Sequence, residues 1–128
     1  MLSNKMTLTI PKDPKNVLAL RLFISGVASR MGFDVADVED IKMALAESAI
    51  LMMSQNDFAH EITICVEEGE GIHICVQASS LQEQKKELEA EALDVELSRM
   101  MLESLVDDLV FVEDGEQLDR ISFYKKLG

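Results

Sequence analysis

Few side chains in this sequence have a type and spacing that could do chemistry. Glu47 is the lone carboxylate in the apolar run "MALAESAILMM", residues 43–53, where a helix-borne carboxylate could act as a general base. One turn later on the same helix face stands Leu51, a hydrocarbon side chain that offers no polar group beside the carboxylate. His60 and His73 have neither a triad partner nor ligand spacing. Cys65 and Cys75 lie in neighbouring strand-like runs without Cys-x-x-Cys spacing or a nearby histidine pair. They are expected to be buried small hydrophobes, with a disulfide or metal role as the alternative.

Several elements must position these residues. "MTLTI" at 6–10 alternates and ends at Pro11, which predicts a first strand at a sheet edge. From Asn16, a candidate N-cap, Val17, Leu20, Ile24, Val27 and Met31 recur at three and four residues until Gly32, and predict an amphipathic helix. Arg21, Ser25 and Arg30 lie on its less apolar side. Asp37 is a candidate cap for a second helix with the stripe Val38, Ile41, Leu45, Ala49 and Met52. Met43, Ile50, Leu51 and Met53 fill much of the remaining surface, so that helix is expected to be largely buried.

"EITICVE" and "GIHICVQ" alternate with period two about "EGEG" and predict a hairpin. "SSLQEQKKELEAEALDVELSRMMLESLVDDL" opens with a possible capping box, Ser80 and Glu83, has no glycine or proline, and predicts helix for most of its length. Its sparse stripe runs Leu88, Ala92, Val95, Leu102, Leu105, Leu109. The charged run "EQKKELEAEALDVE" reads as a solvated face or a partner-docking arm. "LVFVE" and "DRISFYK" predict a closing antiparallel hairpin. The order is strand, two helices, two strands, helix and two strands. It points to one α+β domain over residues 1–128, a two-layer sandwich whose mainly antiparallel sheet is covered on one face by helices.

Composition narrows the function classes. A chain of 128 residues, 48% hydrophobic and 28% charged, matches a globular domain rather than a disordered one. No apolar run approaches the roughly 20 residues that cross a bilayer, and the N-terminal "MLSNKMTLTIPKD" shows no arginine-rich or long apolar leader. A cytoplasmic address is expected. A net charge of −12 repels phosphate backbones and anionic lipid heads, so neither nucleic acid nor membrane is expected as a partner. The eight methionines are expected to fill core gaps, an adaptable binding groove being the alternative.

"RLFISGVASRMGF", "DVEDIKMALAESA" and "MLESLVDDLVF" resemble the bacterial anti-sigma factor serine-protein kinases, partner-switching regulators built on the GHKL ATPase fold. The resemblance runs from about residue 6 to residue 126, with a gap in the middle. It implies three nucleotide boxes. The first is Glu-x-x-x-Asn on a helix, with the carboxylate as general base and the amide oxygen on magnesium; here the pair is Glu47 and Leu51. The second is Asp-x-Gly after the third strand, where the carboxylate reads adenine; the aligned positions are Ala78 and Ser80. The third is a glycine-rich turn before the last helix whose amides cradle phosphate. Its counterpart "VELSR" has no glycine, and it places Glu96 and Ser98 where the phosphates would lie.

Three degenerate boxes imply a member without an ATP site, with no cofactor or metal and with Glu47 as a vestige. In the kinases it resembles, the first helix contacts sigma factor and antagonist, and an arginine aligns with Arg21. The resemblance therefore implies a partner-binding face of Arg21, Ser25 and Arg30 on a non-catalytic, anti-sigma-factor-like protein, a homodimer that binds a sigma factor or a STAS-type antagonist. The alternative is an active ATP-dependent serine kinase that uses Glu47 as base and Glu83 to read adenine.

Overall fold

The computed structural model describes residues 4–79, 92–114 and 117–128. The elements are β1 (Lys5–Pro11), α1 (Val17–Met31), α2 (Val35–Gln55), β2 (Glu61–Glu68), β3 (Gly71–Ser79), α3 (Ala92–Leu105), β4 (Asp108–Asp114) and β5 (Gln117–Lys126), with one 3₁₀ turn at Pro14–Asn16. The strands form a single sheet in the order β1-β2-β3-β5-β4, and every neighbouring pair is antiparallel. β1 is an edge strand, as its terminal proline predicts.

Period-two alternation sets the two faces of the sheet. Ile62, Ile64 and Val66 of β2, Ile72, Ile74 and Val76 of β3, and Ile121 and Phe123 of β5 are buried on one side. Thr63, Cys65, Cys75 and Ser122 point the other way and are half-buried, and His73 beside them is exposed. The long helix α2 lies on the apolar side against β2, β3 and β5, with α1 and α3 packed against it. Leu20, Ile24, Ile41, Leu45, Met52 and Leu102 complete the core, which makes this an α+β sandwich.

Helix ends follow local chemistry, with two departures from the sequence reading. Gly32 ends α1 with φ of 98°, a left-handed conformation that glycine takes without a Cβ clash. Asn16 stands at the start of α1 but its side chain caps nothing; the 3₁₀ turn already holds its backbone in the helical region, and its Nδ2 donates to the Pro11 carbonyl instead. The second helix is capped by Asp34, whose carboxylate accepts from the Asp37 amide, so Asp37 lies in the first turn. Ten residues of α2 are buried, yet Met43 and Ile50 are 42% and 46% exposed. The methionines divide in the same way: Met52 and Met53 fill the core, while Met43 and Met100 lie outside it.

α3 stops at Leu105, so Leu109 belongs to β4 and not to the helical stripe. The sheet captures the chain there: the Asp107 amide donates to the Tyr124 carbonyl, and the Asp107 carboxylate accepts from the Lys126 amide. The Ser80–Glu83 capping box, Leu88 and most of the charged run lie outside the described residues. Gly71 begins β3 where a Cβ would run into the Lys125 carbonyl and the Tyr124 ring, so the close approach of β3 to β5 requires glycine.

Buried Asn56 closes the far end of α2. Its Nδ2 donates to the Leu118 carbonyl at 3.0 Å, and its Oδ1 accepts from the amides of Phe58 and Ala59 at 3.1 and 3.0 Å. Asn56→Ala would orphan these groups, and a buried unpaired polar group costs about 1–3 kcal/mol. The expected loss is about 2–3 kcal/mol, read as a lower urea midpoint at unchanged slope. An unchanged midpoint would mean that water replaces the amide at no cost.

Candidate functional site

α2 carries Glu47 and Leu51 one turn apart, as their spacing requires. Glu47 is half-buried, and its Oε1 accepts a hydrogen bond of 2.8 Å from the Ser98 hydroxyl of α3. Leu51 is only 4% exposed and is part of the hydrophobic core. The structure thus joins two positions read from separate boxes, Glu47 and Ser98, in one contact between helices. A hydroxyl bound to a carboxylate makes a firm tether between α2 and α3.

Of the other aligned positions, the structure describes Ala78 and Glu96. Ala78 is half-buried on β3 opposite Ile62 of β2. Glu96 is exposed on α3. Ser80 and Glu83 lie outside the described residues. The outer surfaces of α2 and α3 expose Met43, Ile50, Leu97 and Met100. No group of three or more histidine, cysteine, aspartate or glutamate side chains among the described residues could hold a metal ion.

On α1 the arginines stand apart. Arg21 is exposed, Ser25 is half-buried, and Arg30 is exposed but paired with Glu68 at the end of β2, Nη2 to Oε2, at 2.6 Å. The hydrogen bond that Arg30 donates to Glu68, and then the charge of that carboxylate, hold the guanidinium above its ordinary pKa. At about 100° per residue, Arg21 and Arg30 lie on opposite margins of the outward face. Between them stand Leu18 and Leu22, 65% and 67% exposed. The sequence reading missed these two leucines. The signal was available, since both fall outside the Val17–Leu20–Ile24–Val27 stripe and so have no place in the core. α1 contains no acidic residue at all, a cationic and apolar face on a protein of net charge −12.

The open face of the sheet holds a depression of about 230 Å³ lined by Lys5, Cys65, His73, Cys75 and Arg120, among others. His73 and Ser122 share a hydrogen bond of 3.0 Å there. Cys65 and Cys75 are free and half-buried, not enclosed in the core as expected, because they alternate onto the face of the sheet opposite to the one on which α2 packs. Burial raises the Cys75 pKa, and the nearby Arg120 guanidinium partly offsets this.

Comparison with known proteins places these features in a context. Over 39 residues the chain is 51% identical to serine-protein kinase RsbW of Bacillus velezensis, a match covering 30% of this chain and 24% of that protein. The chain is similar to RsbW. It is also 39% identical to the Bacillus cereus RsbW over 62 residues, 47% of this chain and 39% of the relative. With the Listeria monocytogenes RsbW the identity is 44% over 45 residues, 35% of this chain and 29% of the relative. The matched parts thus span between about a quarter and two fifths of the RsbW chains. No family model matches the chain. The resemblance to the anti-sigma kinases read from "DVEDIKMALAESA" agrees with these matches.

Proposed function

We propose that this protein is a non-catalytic regulator that acts like an anti-sigma factor, binding a sigma factor or a STAS-type antagonist through the outward face of α1. The observation that carries this reading is the pairing of buried Leu51 with the Glu47–Ser98 tether. A kinase of the RsbW type would need a polar side chain at residue 51 to hold magnesium and a free carboxylate at residue 47 to act as base. Here a hydrocarbon fills the first place and a serine from α3 engages the second. Glu47 then serves as an interhelical anchor.

The α1 face supplies what a binding protein needs. Exposed Leu18 and Leu22 can be buried by a partner, and Arg21 can take a carboxylate in a bidentate bond. Arg30 is held by Glu68 and serves at the margin. The partner is accordingly an acidic protein surface with an apolar centre. Regulation comes from exchange between two such partners, since a ligand shifts an equilibrium only through differential affinity. The protein acts in the cytoplasm as a homodimer; among the described residues no helix is long and apolar enough to cross a membrane.

Calorimetric titration with Mg-ATP and Mg-ADP tests the loss of catalysis. No heat and no melting shift are expected. Micromolar binding would instead return Glu47 to the role of general base, and a nucleotide at 100 times its Kd would add about 2.7 kcal/mol of stability. Light scattering tests the dimer: a mass twice that of one chain is expected, and a monomer mass would remove the dimer from the proposal.

A further inference from the structure

Cys65 and Cys75 are directly opposite each other in the register of β2 and β3. Both are on the face of the sheet away from α2, and both line the depression described there. Neither belongs to the α1 face or to the Glu47–Ser98 contact, so the chemistry of this pair is independent of the proposed regulatory function.

The backbone bonds show which kind of opposed pair this is. The Glu68 amide donates to the Asn4 carbonyl, on the β1 side of β2. Backbone groups alternate sides along an antiparallel strand, so Glu67, Cys65 and Thr63 turn theirs towards β3. The Gly69 amide, bonded to the Gly71 carbonyl at the turn, fits the same phase. Cys65 and Cys75 therefore occupy a hydrogen-bonded pair. At such a pair the Cα atoms stand about 5.5 Å apart, within the roughly 4.4–6.8 Å that a disulfide spans. The Cβ atoms, at about 5.5 Å, are farther apart than the roughly 3.5–4.5 Å that the bond prefers. A bond here is within reach but strained, and strained disulfides are the ones that cellular thiols reduce readily.

We propose that Cys65 and Cys75 form a reversible cross-strand disulfide when the protein meets a hydroperoxide. One thiolate attacks the peroxide; the O–O bond breaks, leaving a sulfenic acid and, with hydrogen peroxide, one water. The second thiol attacks the sulfenyl sulfur, the S–S bond forms, and hydroxide leaves with that thiol's proton as a second water. Two thiols and one peroxide become one disulfide and two waters, and two glutathione thiols reverse the oxidation.

The test treats the purified full chain with hydrogen peroxide and then with iodoacetamide. The intact mass is expected to fall by two hydrogens, both alkylation sites are expected to vanish, and no crosslinked dimer is expected on a non-reducing gel. Millimolar glutathione should then restore both sites. Cys75→Ser and Cys65→Ser should each leave a single cysteine that peroxide converts to a sulfenic acid trapped by dimedone. Two cysteines that stay alkylatable, oxygen added to each separately, crosslinks only between chains, or a bond that glutathione leaves intact would each overturn the proposal.

Discussion

Leu51→Asn is expected to destabilise the fold by about 3–8 kcal/mol and not to create an ATP site. The side chain is 4% exposed within the core that α2 shares with its neighbours. Truncating a buried leucine costs about 2–5 kcal/mol, and an unpaired buried amide adds about 1–3 kcal/mol. The sum is of the order of a whole domain's stability, about 5–15 kcal/mol, so the variant should be measured by urea titration in the cold. Leu51→Met, nearly equal in volume, should cost less than about 1.5 kcal/mol and serves as the folded control. Mg-ATP should leave the midpoints of parent and both variants where they are, because the positions aligned with the other two boxes stay as they are. If Leu51→Asn kept the parent's midpoint and bound Mg-ATP, residue 51 would face a pocket and the pseudokinase reading would fail.

Arg21→Glu with Leu22→Glu is expected to weaken partner binding about 1,000-fold while leaving stability nearly unchanged. Leu22 is 67% exposed and Arg21 is exposed beside it, and surface changes of this kind stay within about 0.5 kcal/mol. Binding is another matter. An apolar anchor and an arginine at the centre of an interface are each worth about 2 kcal/mol or more, and about 4 kcal/mol is roughly a thousandfold in Kd. The measurement is a titration of the purified protein with sigma factors and STAS-domain proteins from the same genome, alongside a melting curve. Equal affinity of parent and double variant would take α1 out of the interface. Reversing the charge of an acidic residue on the partner should restore part of the loss when the salt bridge is direct.

Local patterns were legible where the physics is local. The period of Ile62, Ile64 and Val66 marks the core face of β2, and the glycine after Met31 marks the end of α1. Capping was misplaced at Asn16 and Asp37 because Asp13 and Asp34 reach the free amides first. Leu109 is read both in the helical stripe and at the head of the strand "LVFVE", because no helix breaker stands between Leu105 and Leu109; the structure ends α3 at Leu105 and gives Leu109 to β4. Competition from β5 ends the helix there, and that contact is with a segment distant in sequence.

By itself the sequence determined the order of the elements, the α+β class and the apolar stripes, since each depends on residue type and spacing of two to four positions; the missing polar groups at Leu51 and Ala78 are what the resemblance to the anti-sigma kinases implies. Only the tertiary structure decided that Ser98 engages Glu47 across two helices, that Leu18 and Leu22 are left outside the core between separated arginines, and that Cys65 stands opposite Cys75 on the sheet face away from α2. The Ser98–Glu47 contact depends on helix packing and the Cys65–Cys75 pairing on strand register, and the exposure of Leu18 and Leu22 depends on which surface the rest of the chain covers. These are settled by the chain as a whole.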